Sequence, residues 1–218
     1  MANGESATQR WVEVGPERIG GWLESFAVRH GGASYQPGPD IVSVLAADGA
    51  VAECLPPFPP LPAGSAGTGA ELAAHALADR TVAVLLVRLG GYAAGIFAGS
   101  DARLVASKVG SRLVHGRSAA GGQSQQRFAR RRENQAHQAI TAAADTAAAV
   151  FGPYKLDALV LGGDKRAFSS IRTDPRLTPF FEVAVESFLT VPDPRLTVLK
   201  DTPRLFRAIR IKLTQPAD

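Results

Sequence analysis

Apolar and polar residues alternate along this chain with two periods, and the switches between them mark its elements. Trp11 to Val14 reads as a short strand. Pro16-Glu17-Arg18 opens a helix, because proline suits a first turn and an acid suits the positive helix end. Ile19, Trp22, Leu23 and Phe26 then fall on one face, and Gly31-Gly32 ends the helix. Ile41 to Leu45 and Val51 to Leu55 flank Asp48-Gly49, a hairpin signal. Pro56 to Gly69 is rich in Pro, Gly and Ser and reads as an internal loop; Glu71 to Asp79 is a short alanine-rich helix.

The second half repeats the alternation of strand and helix. Thr81 to Val87 is a continuous apolar run, the pattern of a central strand covered on both faces. Tyr92 to Ala98 and Arg103 to Val109 add two strands. A small-residue loop over Gly116 to Gly122 precedes a long helix from Ser124 to Val150, with Phe128, Ala136, Ile140, Ala143, Ala147 and Val150 as its apolar stripe. Leu156 to Leu161 is a buried strand ended by Gly162-Gly163. Pro175 to Val183 and Pro194 to Phe206 read as helices, with a short strand at Phe188 to Val191 between them. The repeated Asp174-Pro175-Arg176-Leu177 and Asp193-Pro194-Arg195-Leu196 suggest aspartate caps with first-turn prolines. Ala208 to Thr214 alternates as a half-exposed strand. The order implies an α/β (α+β) fold, a mixed sheet flanked by helices. One domain is expected over residues 11–214, between tails at 1–10 and 215–218.

Composition adds little until charge is placed along the chain. An apolar share of 45% is enough for a core. The single cysteine, Cys54, forbids an internal disulfide and any cysteine-based metal site, which fits a cytoplasmic protein. The polar start lacks the apolar core of a signal peptide, and the apolar stretch over Thr81 to Ser100 is broken by Arg88 and glycines, so no membrane span is expected. Net charge is only +4, yet Arg103 to Arg132 holds eight Lys or Arg and no acid. A second basic stretch, Arg195 to Lys212, has six cations against Asp201 alone. Single-sign segments in a near-neutral chain point to a polyanion-binding face.

Phosphate loops, nucleophile elbows and zinc-protease helices are missing from the sequence. Gly162-Gly163-Asp164-Lys165 has only the glycines of a phosphate motif and reads as a turn at a strand end. His30, His75, His115 and His137 lack metal-ligand spacing, and no metal or cofactor is expected; His115 and His137 fall in the basic region. The chemistry therefore concentrates in Gly121-Gly122-Gln123. Glutamine does not titrate near neutrality, but its amide can orient a water or support an oxyanion. The glycines let backbone approach a partner without a Cβ. Arg127, Arg130, Arg131 and Arg132 crowd a helix start whose dipole is already positive, at about a few tenths of a kcal/mol each. Phosphates meeting them would offset that cost. Phe128 can stack on a base, but its place on the apolar stripe favours the core.

Gly121-Gly122-Gln123-Ser124, followed by Arg127-Phe128-Ala129-Arg130, Arg132 and His137, resembles the central domain of the eukaryotic and archaeal class 1 peptide-release factors. From Trp11 onward the chain looks most like the actinobacterial Vms-like release-factor branch of that superfamily. The resemblance implies a ribonuclease H-like central domain with a projecting Gly-Gly-Gln loop. It implies a peptidyl-tRNA hydrolase at the peptidyl-transferase centre, with Gln123 positioning water and Gly121 and Gly122 allowing close approach. His115, Arg117, Ser124, Arg127, Arg130, Arg131, Arg132 and His137 would bind RNA. The partners would be peptidyl-tRNA and the rRNA of the large ribosomal subunit, met by a monomer. No segment resembles the codon-reading domain of the class 1 factors, so the expectation is codon-independent rescue of stalled ribosomes or large subunits. Two alternatives stay open: a nuclease that cleaves the tRNA near its 3′ end, and a non-catalytic ribosome- or RNA-binding module.

Overall fold

The computed structural model describes residues 8–88, 91–111 and 124–215, with side chains described over all of these except 124–136. In chain order the elements are β1 (Thr8–Val14), α1 (Ile19–Arg29), β2 (Ala33–Pro37), β3 (Val42–Ala46), β4 (Val51–Leu55), α2 (Gly69–Ala76), β5 (Val82–Arg88), β6 (Gly91–Ala98) and β7 (Arg103–Ser111). They continue with α3 (Ser124–Phe151), β8 (Ala158–Gly163), α4 (Lys165–Ile171), α5 (Thr178–Phe181), β9 (Ala184–Leu189), α6 (Leu196–Lys200), α7 (Thr202–Phe206) and β10 (Ile209–Gln215).

The fold class is mixed α/β, as expected, but the strands form two sheets instead of one. The chain clusters into two compact units, Met1–Ala78 with Arg204–Asp218, and Asp79–Pro203, so the span expected as one domain holds both. The physical reason is that each sheet closes over its own apolar core, and β10 returns to the first sheet. It pairs there with β1 and β4.

The first unit is an antiparallel sheet in the order β1-β10-β4-β3-β2. Ile19, Leu23 and Phe26 of α1 and Leu72 and Ala76 of α2 share a core with the strand residues Val14, Val42, Val44, Ala52, Cys54, Ile209, Ile211 and Leu213. The helix α2 begins with a capping box: the Thr68 hydroxyl accepts from the Glu71 N–H, and the Glu71 carboxylate accepts from the Thr68 N–H. Strand β1 starts at Thr8, inside the stretch expected as a tail.

The second unit is a mixed sheet in the order β7-β6-β5-β8-β9. Strands β5, β6 and β7 form an antiparallel meander, and β8 and β9 run parallel to β5. As the apolar run implies, β5 is central, with Val82 through Val87 all buried. One face, with Ala83, Leu85, Val87, Ala94 and Ile96, packs on Ala143, Ala144, Ala147 and Phe151 of α3 and on Phe168 and Ile171 of α4. On the opposite face α6 sits so close that a Cβ on Gly95 would lie 2.9 Å from Leu199 Cδ2.

Several local expectations change. Helix α1 begins at Ile19 with Arg18 as its N-cap, so Pro16 and Glu17 form a turn before the helix and no acid sits in its first turn. The strand expected at Phe188 to Val191 is β9, Ala184–Leu189. Pro175 to Val183 contains only the short α5, and Pro194 to Phe206 is split into α6 and α7. Neither repeated aspartate is a helix cap: the N-caps are Leu177 and Arg195. Asp174 instead accepts from the Arg176 N–H at 3.0 Å, a tight turn before the helix. The aspartate that does cap is Asp164, which accepts from the Arg166 N–H at 2.9 Å and starts α4. Gly162-Gly163-Asp164-Lys165 is not the separate turn that its sequence suggests: the glycines end β8, Asp164 caps α4 and Lys165 opens it, so strand passes directly into helix with Gly163 at φ +102°.

Candidate functional site

The candidate site belongs to the second unit, and its frame begins with β7. This edge strand carries exposed Arg103 and Lys108 and ends at Ser111. Residues 112–123 follow, and Ser124 then opens α3, the boundary that the sequence pattern implies. Gly121, Gly122, Gln123, His115 and Arg117 lie outside the described residues, as does the expected Gly116 to Gly122 loop. Ser124, Arg127, Arg130, Arg131 and Arg132 belong to the opening turns of α3, which has no acidic residue in its first turn. His137 lies farther along α3; it is exposed, and its carbonyl accepts from the Thr141 hydroxyl at 3.1 Å.

At 1.5 Å per residue the 28 residues of α3 make a rod about 42 Å long. Its seat on the sheet is built from alanine. Ala139, Ala143, Ala144 and Ala147 are buried, and Phe151 closes the row against the Phe180 ring, edge-on at 5.6 Å. Small side chains let a helix come close to a sheet, and they make the contact depend on shape. Ile140 and Val150 of the expected stripe are half-buried flanks of this seat; Phe128 and Ala136 fall among the undescribed side chains.

A polar clasp holds the same half of α3. Arg176 donates to Asp145 on the helix at 2.8 Å and to Asp174 at 2.6 Å. The Arg176 guanidinium, through its side-chain hydrogen bond, holds the Asp174 carboxyl below the usual carboxylate range. Two carboxylates raise the affinity of Arg176 for its proton in return.

The edge of the sheet at which β7 ends also holds the carboxyl ends of β5 and β8 and the start of β6, as the pairings Arg88–Gly91, Val87–Gly163 and Gly91–Ser111 require. The 191–196 segment passes this edge. Arg88 Nη1 donates to the Val191 carbonyl at 2.8 Å, and its Nε lies 3.9 Å from an Asp193 carboxylate oxygen. The Pro194 ring packs over Gly91, where a Cβ would lie 3.4 Å from its Cδ and 3.3 Å from the Arg88 carbonyl oxygen. Two adjoining hollows of about 480 and 450 Å³ result, both lined by Arg88, Asp193 and Arg195. Sequence reading marked Arg88 only as a break in the apolar stretch and did not find this cleft. Its one signal was Arg195, as the first cation of the second basic stretch.

That stretch divides between the units. Arg195 and Lys200 lie in the second, and Arg204, Arg207, Arg210 and Lys212 in the first. Arg210 stacks over the Trp11 ring at 4.9 Å, and Lys212 pairs with Glu53 at 3.1 Å. Among the described residues no cluster of three or more His, Cys, Asp or Glu could hold a metal ion, and no helix is long and apolar enough to cross a membrane.

Comparison with known proteins gives a family match over residues 80–212, more than half of the chain, to the model described as Actinobacteria/chloroflexi VLRF1 release factor. The matched residues take in almost all of the second unit and much of β10. No curated protein matches the chain. Among solved structures, that of an archaeal translation termination factor, aRF1, is similar at a TM-score of 0.43 and 11% identity, over 90% of this chain and 64% of that one.

Proposed function

The chain belongs to the Actinobacteria/chloroflexi VLRF1 release factor family, and from that premise we propose that it hydrolyses peptidyl-tRNA on the large ribosomal subunit and so rescues stalled translation. The observation that carries this reading is the placement of Gly121-Gly122-Gln123 inside the matched region, directly before the first residue of α3. The glycines admit close backbone approach to the tRNA end. The Gln123 amide orients a water on the carbonyl carbon of the ester between nascent peptide and terminal ribose. The water oxygen bonds to that carbon and the bond to the ribose oxygen breaks. One water proton passes to the ribose oxygen and the other to solvent, leaving a peptide carboxylate and a tRNA 3′ end with its hydroxyl restored. A backbone N–H beside Gln123 supports the charge that develops on the carbonyl oxygen.

The RNA-binding role belongs to His115, Arg117, Ser124, Arg127, Arg130, Arg131, Arg132 and His137: the arginine charges and the polar hydrogens of the others meet phosphates of rRNA and of the tRNA acceptor end. The protein acts as a cytoplasmic monomer without a cofactor. Purified peptidyl-tRNA–large-subunit complexes test the reading. Gln123→Ala is expected to abolish peptide release, a loss of at least a hundredfold, while subunit binding stays at the wild-type level. Release by Gln123→Ala at the wild-type rate refutes it.

A further inference from the structure

We propose that the cleft between Arg88 and Arg195, at the edge where β5 and β7 end, is a second phosphate-binding site that holds one RNA phosphodiester beside the root of the 112–123 segment. It deepens the peptidyl-tRNA hydrolase reading and rests on it for the identity of the RNA.

Three observations converge on this cleft. The first is charge. No carboxylate among the described residues forms an ion pair with Arg195. The wall sets two arginines, Arg88 and Arg195, against one acid, Asp193, whose carboxylate lies 3.9 Å from Arg88 Nε, so the cleft carries a net positive charge. The second is order. Arg88 Nη1 donates to the Val191 carbonyl at 2.8 Å, so its guanidinium is set in place before a ligand arrives. A planar donor fixed by the protein loses little entropy on meeting a phosphate. The third is shape. The two hollows adjoin, and their shared wall is Arg88, Asp193 and Arg195. An open trough suits a polynucleotide, which must enter and leave, and it suits a compact metabolite poorly. Val109 and Leu196, 38% and 43% exposed, provide apolar surface for a ribose. Ser111 lines the same trough and is the residue from which the chain continues into 112–123. A phosphate gripped here lies in the hollow that Ser111 lines.

The test uses the full chain and fluorescein-labelled deacylated tRNA, with affinity followed over a potassium chloride series. A parallel arm uses large subunits free of tRNA. Arg195→Ala is expected to reduce the slope of log K against log salt by about one. Lys155→Ala, an exposed cation before the opposite end of β8, is expected to leave the slope unchanged. A reduced slope with tRNA assigns the phosphodiester to tRNA, and a reduced slope only with subunits assigns it to rRNA; either supports the site. An unchanged slope in both arms, or an equal reduction by Lys155→Ala, overturns it. Deacylated tRNA carries no ester to cut, so this outcome is independent of Gln123→Ala. Failure of release alone removes the hydrolase reading and leaves the cleft standing.

Discussion

At the scale of single residues, close approach sets firm limits on what this chain tolerates. Gly69, the first residue of α2, faces Gly20 in α1, and a Cβ placed on Gly69 would sit 2.7 Å from the Gly20 Cα. Backbone cannot yield as a flexible side chain can, so Gly69→Ala is expected to cost about 1–3 kcal/mol in denaturant unfolding. Cys54 is the opposite case, a side chain sealed rather than squeezed. It is fully buried in β4, and burial pushes its thiol up to about 12. The nucleophile is the thiolate, so native protein is expected to resist Ellman's reagent at pH 8, and unfolded protein to react at once with one equivalent. Prompt reaction of the native protein would contradict the sealed core.

Elements show what the sequence reveals and what it hides. The apolar run of β5, the one-sided stripe of α1 and the Asp48-Gly49 hairpin were legible because burial on one or two faces writes itself into spacing. Strand β2 was missed because it lies at a sheet edge, where Ser34, Tyr35, Gln36 and Pro37 are all exposed and leave no alternation to read. Helix α4 was missed because seven residues give two buried side chains, Phe168 and Ile171, too few for a period. The repeated Asp-Pro-Arg-Leu misled because one tetrapeptide serves a turn as well as a cap. The alanine seat of α3 was only half legible, since spacing marks small residues without saying how closely they pack. The Arg176 clasp, which joins residues far apart in sequence, was not legible at all. Its effect depends on pH with a definite sign. Asp174 is held below its ordinary pKa, so the stability it contributes is present above the unfolded carboxyl value and lost as pH falls through the folded one. Arg176→Ala is therefore expected to melt below wild type near neutrality. The two melting curves should converge under acid below the usual carboxylate range. A gap that persists unchanged in acid would show that the clasp acts through packing alone.

For the molecule as a whole, a near-neutral net charge of +4 conceals a strong division. The cation-only run ends in α3, within the unit that the release-factor family model matches, and that unit's packed core joins the sheet to the alanine-seated half of the helix. On this account the protein supplies an amide, close backbone approach and a phosphate-gripping frame, and the ribosome and substrate supply the rest of the site. The central claim is therefore a claim about one bond. Peptidyl-tRNA–large-subunit complexes, labelled on the peptide and at the tRNA 3′ end, should be incubated with the protein and both ends read from one reaction. The account predicts free peptide together with full-length tRNA whose terminal adenosine is intact. Peptide still attached to a shortened tRNA fragment would contradict it.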